Sequence, residues 1–282
     1  MFQQPLISAI VLYAECSQCL PNILSGLRQQ TYQHIEIIVV DADKSNSNRI
    51  DVLAGQYPEV RFMPFFGEAS FMPMLAAGLK MIKGSYCFVI NTEVHLPVTA
   101  IETLLQQMLL HQHNIKIIGM HTSASGYYWR KRPSRIMPWI IRTERILPSQ
   151  SSDSLYSQAI ADSSAFMVSA KFLKEISEVR NFTSEWGVYY WQIKHCKPFE
   201  HRGIAPGICI KMATNMQKPK YIFAPKPAGA IALIHTMSIF NPLRYCNYIL
   251  FYIFHVTELV FGLIKKLNAT SVAKRMPDNV SS

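Results

Sequence analysis

The sequence predicts an α/β fold: a Rossmann-like, mostly parallel sheet with helices on both faces, followed by a C-terminal amphipathic helical segment. Three observations carry this expectation. Short apolar or β-branched runs recur through the first 120 residues. Single segments of helical apolar spacing separate them, and one-helix crossovers imply parallel strands. The chain has 282 residues, 49% apolar and 16% charged, enough to bury a full core without a disulfide or metal staple. Disorder, collagen and coiled coil are excluded by that composition and by the lack of any fixed period.

The elements follow in order. Leu6 to Leu12 is a short apolar run, read as a buried strand. Pro21 suits the first turn of a helix, with Leu20, Ile23, Leu24 and Leu27 on its inner face. Ile35 to Val40 is β-branched and ends at Asp41. Asp43, Ser45 and Asn46 mark a polar loop. Val60 to Met63 predicts a third strand. Phe71, Leu75, Leu79 and Ile82 keep helical spacing, with Gly84 as a stop. Tyr86 to Ile90 predicts a fourth strand. Pro97 opens a helix with Val98, Ile101, Leu105 and Met108 inward, and Ile115 to Met120 predicts a fifth strand.

In open parallel sheets, ligands collect beyond the carboxyl ends of the strands. Glu15, Asp41 with Asp43, and Asn91-Thr92-Glu93 all fall there. Polar residues also end strands for purely structural reasons, so a site and simple strand termination both fit. Lys plus Arg number 28 against 18 Asp plus Glu, a surplus of ten that points to an anionic partner. Met1-Phe2-Gln3-Gln4-Pro5 has neither a basic start nor a long apolar core, so no secretory signal is expected. The six cysteines then read as reduced thiols of a cytosolic protein. Cys16 and Cys19 form a Cys-x-x-Cys, but no second pair completes a zinc site.

Beyond residue 120 the pattern changes. Gly126 to Leu147 is aromatic and basic, with Arg130, Lys131, Arg132, Arg135, Arg142 and Arg145 opposed only by Glu144. A Ser-rich loop, Pro148 to Ser154, follows. Ala165 to Val168 is a second apolar block before a short helix with Phe172, Leu173 and Ile176. Proline-interrupted loops lead to an aromatic segment, Tyr245 to Leu267, and a polar tail from Asn268.

The first half is similar to the opening of family 2 glycosyltransferases. The residues that carry the likeness are Pro5 to Val11, Gln30-Thr31-Tyr32, Ile35 to Asp41, Ala77-Gly78-Leu79, Lys83-Gly84-Ser85-Tyr86, Asn91-Thr92-Glu93 and Leu96-Pro97. The register runs from residue 5 to about 108. It implies a GT-A fold and transfer of a sugar from a nucleotide diphosphate donor. The implied donor-binding residues are Tyr13, Glu15, Asp41, Asp43 and Asn91, with Glu93 as the metal ligand for Mg²⁺ or Mn²⁺. The functional positions depart from the family pattern. Ala14-Glu15-Cys16 stands for aromatic-Asn-Glu, Ala42 for the second of paired aspartates, Ala76 for an asparagine, and Asn91-Thr92-Glu93 for Asp-x-Asp. Hard divalent ions want oxygen ligands, and Glu93 still offers a carboxylate while Asn91 offers an uncharged carbonyl. Capping of the next element is the alternative role for both.

In the second half, Ser163 to Val168 with Lys171-Phe172-Leu173 resembles the family's acceptor-side segment. Thr183-Ser184-Glu185-Trp186 resembles the acidic-Trp motif of rhamnosyltransferase-like members, which implies Glu185 as catalytic base. An inverting transfer needs one base to take the acceptor hydroxyl proton. Thr183 and Tyr189 depart from that motif, and a solvated surface role for Glu185 stays open. The nine histidines give no metal signature; His201 and His235 could lie near a diphosphate in this architecture, but nothing in the spacing requires it, and an ordinary surface or core role fits each equally.

The basic-aromatic stretch has several readings. Its arginines suit a diphosphate, an anionic lipid surface or simple solvation. Nucleic acid ranks last, because no nucleic-acid module is present. Tyr245 to Leu267 has the length of a span, but His255 and Glu258 lie in its middle. An interfacial helix or one packed on the domain fits better. The expected organisation is a GT-A domain over 1–225, with a donor half 1–120 and an acceptor half 121–225, then a membrane-proximal extension over 226–282. The expected protein is a glycosyltransferase peripheral to the cytosolic face of a membrane. It would use a saccharide or lipid-linked acceptor in surface polysaccharide synthesis, with inversion. The alternative is a catalytically inactive GT-A-fold scaffold.

Overall fold

The computed structural model describes residues 4–14, 19–42, 47–67, 69–91, 94–111, 115–124, 127–133, 140–146, 159–172, 186–196, 202–212 and 221–223. The first half runs β1 (Ile7–Tyr13), α1 (Cys19–Arg28), β2 (Ile35–Asp41), α2 (Ser47–Gln56), β3 (Val60–Pro64), α3 (Phe71–Gly78), β4 (Tyr86–Asn91), β5 (Val94–His95) and α4 (Ala100–Leu110). The second half runs β6 (Ile117–Ala124), β7 (Tyr127–Pro133), β8 (Ile140–Ile146), β9 (Ala165–Ser169), α5 (Trp186–His195), β10 (Arg202–Met212) and β11 (Tyr221–Phe223).

One sheet holds every described strand. Its main path is β11-β8-β7-β6-β9-β4-β1-β2-β3, and β10 joins β6 and β5 off that path. The run β4-β1-β2-β3 is parallel throughout. β9 enters antiparallel between β4 and β6, and β7 and β8 extend the sheet as an antiparallel pair. β1 is buried along its whole length, as a run that is apolar but for Ser8 and Tyr13 favours.

Alternation along the strands builds two cores. Ile7, Ala9, Val11 and Tyr13 share one face with Leu20, Ile23, Leu24 and Leu27 of α1 and Ile101, Leu104, Leu105 and Met108 of α4. Ile10, Leu12 and Val40 face the other way, against Met72, Met74 and Leu75 of α3 and Val188 and Trp191 of α5. α3 lies close on the sheet at Gly78, where a Cβ would stand 2.8 Å from Ile10 Cγ2. The helices therefore cover both faces, as the sequence predicts.

Several details differ from the sequence expectation. α2 fills a segment whose mean hydropathy is too low to announce a helix. α3 ends at Gly78, so Leu79 and Ile82 pack on the core from the following turn. Val98 lies before α4 and is exposed, not inward. The basic-aromatic stretch is the hairpin-like pair β7 and β8, and α5 and β10 are further elements with no clear apolar periodicity. The expected C-terminal segment, Tyr245 to Leu267, lies outside the described residues. Among the described residues no helix is long and apolar enough to cross a membrane.

The Gln30-Thr31-Tyr32 part of the family likeness is structural. Buried Gln30 donates to the carbonyls of Gly26 (3.0 Å) and Pro97 (2.8 Å) and accepts from Ile101 N–H (3.0 Å). It thereby satisfies a free donor in the first turn of α4. Thr31 Oγ1 donates to Glu102, also in that turn, at 2.5 Å, and the Tyr32 hydroxyl donates to Pro5 O.

Candidate functional site

The parallel register brings three of the predicted positions to one sheet edge. Tyr13 pairs with Asp41, and Leu12 pairs with Asn91. Tyr13, Asp41 and Asn91 thus end three adjacent strands, in the spatial order β2-β1-β4. The Ala42 N–H donates to Tyr13 O at 2.9 Å and the Phe65 N–H to Asp41 O at 2.6 Å, which ties these strand ends together. Tyr13 and Asp41 are both buried, at 3% and 4% exposure, so the carboxylate sits in a low-dielectric setting beside an aromatic ring's strand. Ala42, where the family has a second aspartate, is buried in the opposite apolar core with Leu12 and Val40. A carboxylate there would have to enter that core.

The remaining predicted residues are Glu15, Asp43, Glu93 and Glu185, which lie outside the described residues, as does the side chain of Asn91. Among the described residues no group of three or more His, Cys, Asp and Glu could hold a metal ion. The backbone of Asn91 stands next to the strand end that carries Tyr13.

A second polar cluster was missed from sequence. Lys131 of β7 is buried, although it belongs to the basic stretch for which a diphosphate, a lipid surface and simple solvation are the readings. Its Nζ lies 3.0 Å from Asp162 Oδ2 and donates to the Tyr189 hydroxyl of α5. Asp162 Oδ1 accepts from Ser164 N–H (3.0 Å) and Ser164 Oγ (2.6 Å), and Ser163 Oγ is 3.0 Å from the Tyr189 hydroxyl. Burial alone would lower the Lys131 pKa, but the Asp162 carboxylate and Tyr189 outweigh it and hold the ammonium above the ordinary lysine range. The other described basic residues behave as a face: Arg142 and Arg145 are exposed and Arg132 meets Glu144 at 3.3 Å. The only sequence signal for the cluster was an Asp-Ser-Ser just before an apolar strand.

This cluster belongs to the same sheet edge. Ala165 pairs with Ile90, so Asp162 to Ser164, immediately before it, lie beside the carboxyl end of β4. Polar groups from β1, β2, β4, β7, the segment before β9 and α5 therefore gather at one end of the sheet.

No protein-family model and no curated protein matches the sequence. Solved structures match the fold. The mannosyltransferase PcManGT from Pyrobaculum calidifontis, in complex with GDP-Man and Mn²⁺, gives a TM-score of 0.56 at 12% identity, over 78% of this chain and 59% of that one. TarS 1–349 from S. aureus gives 0.53 at 10% identity, over 81% of this chain and 63% of that one. This chain spans less than two thirds of either. The likeness establishes the fold: a mixed α/β sheet flanked by helices, matching that of these two structures.

Proposed function

We propose that the protein is a glycosyltransferase that takes a nucleoside diphosphate sugar as donor. The observation that carries this reading is the alignment of Tyr13, Asp41 and Asn91 at the ends of three adjacent strands. Tyr13 and Asp41 would hold the nucleoside, together with Glu15 and Asp43 from the loops that follow. Asn91 and Glu93 would hold Mg²⁺ or Mn²⁺, which neutralises the departing diphosphate when bound. PcManGT was solved with GDP-Man and Mn²⁺, which supports that donor class and cofactor. Glu185 would take the proton from the acceptor hydroxyl, giving inversion. The acceptor would be a saccharide or a lipid-linked one, in surface polysaccharide synthesis. Tyr245 to Leu267, in the extension after residue 225, would seat the protein on the cytosolic face of a membrane.

One observation favours a second reading. Ala42 is buried among apolar side chains, so a nucleoside contact of the family is replaced by core packing. A GT-A-fold scaffold without turnover would tolerate that loss. Titration with UDP, GDP and dTDP, with and without Mn²⁺, separates the two readings. The transferase reading expects Mn²⁺-dependent binding. Asp41→Ala should weaken it about tenfold, equivalent to about 1.4 kcal/mol, while Asp51→Ala on exposed α2 leaves it unchanged. Equal effects of the two changes, or no nucleotide binding by the parent, would remove the donor-site assignment.

A further inference from the structure

The Lys131–Asp162 pair is not explained by stability. Both side chains are nearly inaccessible, at 8% and 7% exposure. Removing two charges from water is costly, and apolar residues of similar volume commonly serve a fold as well or better. What the pair does provide is direction, because hydrogen bonds fix orientation where apolar contacts do not. Lys131 links β7 to the Asp162 segment and to α5 at once. The backbone adds a bond from Ile160 N–H to Lys131 O at 2.8 Å.

α5 is gripped by the same segment at a second point. The Gln192 side-chain amide accepts from Ala161 N–H (2.8 Å) and donates to Ala161 O (3.0 Å). Tyr189 and Gln192 are three apart and so share one helix face. Gly187, at the opening turn, lies against α3, where a Cβ would stand 2.7 Å from Met72 Cγ. Rotation or sliding of α5 would break both polar grips and this close contact together. The held segment runs on into Ala165, paired with Ile90 at the end of β4.

We propose that Lys131, Asp162 and Tyr189 are positioning residues that lock the start of α5 and the Ser163–Ser164 segment in register with the donor-side strand ends. This rests on the transferase reading above, in which Glu185, the residue just before α5, acts on the acceptor. The network touches no substrate. It acts by fixing the elements that do, and small misplacements of a reacting group are expensive in rate.

The test separates orientation from packing. Lys131→Met/Asp162→Leu removes both charges and keeps the volume, and Tyr189→Phe removes one hydroxyl. Turnover is read as nucleoside diphosphate release from UDP-glucose, UDP-galactose, GDP-mannose and dTDP-rhamnose with oligosaccharide acceptors. Melting temperature is read alongside. The expected result is a parent-like melting temperature, kcat lowered about tenfold or more in both variants, and donor KM within about twofold. Full kcat in the stable double variant assigns the cluster to packing and overturns the proposal. If the double variant does not fold, Tyr189→Phe decides alone, and full kcat there overturns it equally. A loss confined to donor KM also overturns it. A parent without turnover on any donor removes the transferase reading and this proposal with it, an outcome distinct from an active parent with unaffected variants.

Discussion

The two ends of the parallel strands carry charged clusters built on opposite plans. At the amino ends, Glu36 is bound mostly by backbone and short side chains. Its Oε1 accepts from Ser8 Oγ (2.5 Å), Lys83 N–H (2.6 Å) and Gly84 N–H (3.2 Å), and its Oε2 from Arg61 (2.5 Å). Arg61 also donates to Met81 O at 2.9 Å. One carboxylate thereby anchors the turn that leads into β4. At the carboxyl ends, Lys131, Asp162, Ser163 and Tyr189 bind one another mainly through side chains, and Tyr13 and Asp41 end β1 and β2 at the same end of the sheet. Backbone-bound charge serves chain geometry. Charge held by side chains from three elements serves placement in the reading proposed above. On that reading a single sheet separates a folding end from a working end.

The strongest way to break this division is at the folding end. A Cβ on Gly84 would stand 2.6 Å from Leu6 O, 2.7 Å from Ser8 N and 2.8 Å from Ser8 Oγ. Backbone atoms cannot move aside as a flexible side chain would. Gly84→Ala should cost about 3 kcal/mol, the upper end of ordinary overpacking. Urea unfolding measures this. Nucleotide affinity per folded molecule should be unchanged. A parallel loss of affinity would mean that the two ends are coupled and that the division is false.

A weaker perturbation of the same end is Glu36→Gln. The amide oxygen can still accept from Lys83 and Gly84, but Arg61 loses its charged partner. The pair is only partly shielded, with side-chain exposures of 34% for Arg61 and 15% for Glu36. Its loss should therefore cost about 2 kcal/mol, less than a fully buried pair would. Again stability should fall while nucleotide affinity holds. No change in the urea midpoint would show that the backbone bonds alone anchor this turn.

What was legible in the sequence follows the same division. The first-half strands and the inner faces of α1 and α4 were readable, because buried parallel strands are continuous apolar runs and their helices have one clear stripe. Part of the family likeness rests on Gln30, Thr31, Tyr32, Glu36 and Gly84, whose contacts are structural. Tyr13 and Asp41 fall at strand ends as expected, because strand ends are predictable once the strands are. The Lys131 cluster was not, since a lysine among five arginines reads as surface and its partners lie more than thirty and fifty positions away, as Asp162 and Tyr189. α5 escaped because Trp186 to His195 is aromatic on several sides, with no single stripe. The likeness to known glycosyltransferases is thus legible as fold first and as chemistry second.

The smallest effect is expected where the same ion pair is placed in water. Arg28 binds Glu59 with Nε–Oε1 at 2.5 Å and Nη2–Oε2 at 2.9 Å, a fork geometry as good as anything at Glu36. Arg28 also lies 4.2 Å over the Tyr57 ring and donates to Gln56 O at 2.9 Å. Both side chains are nearly half exposed, at 45% and 44%. The hydrogen bond from Arg28 pulls the Glu59 carboxyl below its ordinary range. A lowered carboxylate pKa adds stability that is present above the unfolded value and lost as pH falls through the folded one. Solvent and salt screen that contribution. Glu59→Gln should therefore leave the urea midpoint unchanged at neutral pH, and remove only a slight acid-side loss seen in the parent at low salt. If Glu59→Gln instead destabilised the protein as much as Glu36→Gln, burial would not be what distinguishes the folding end. The geometry of the pair alone would then explain the cost at Glu36.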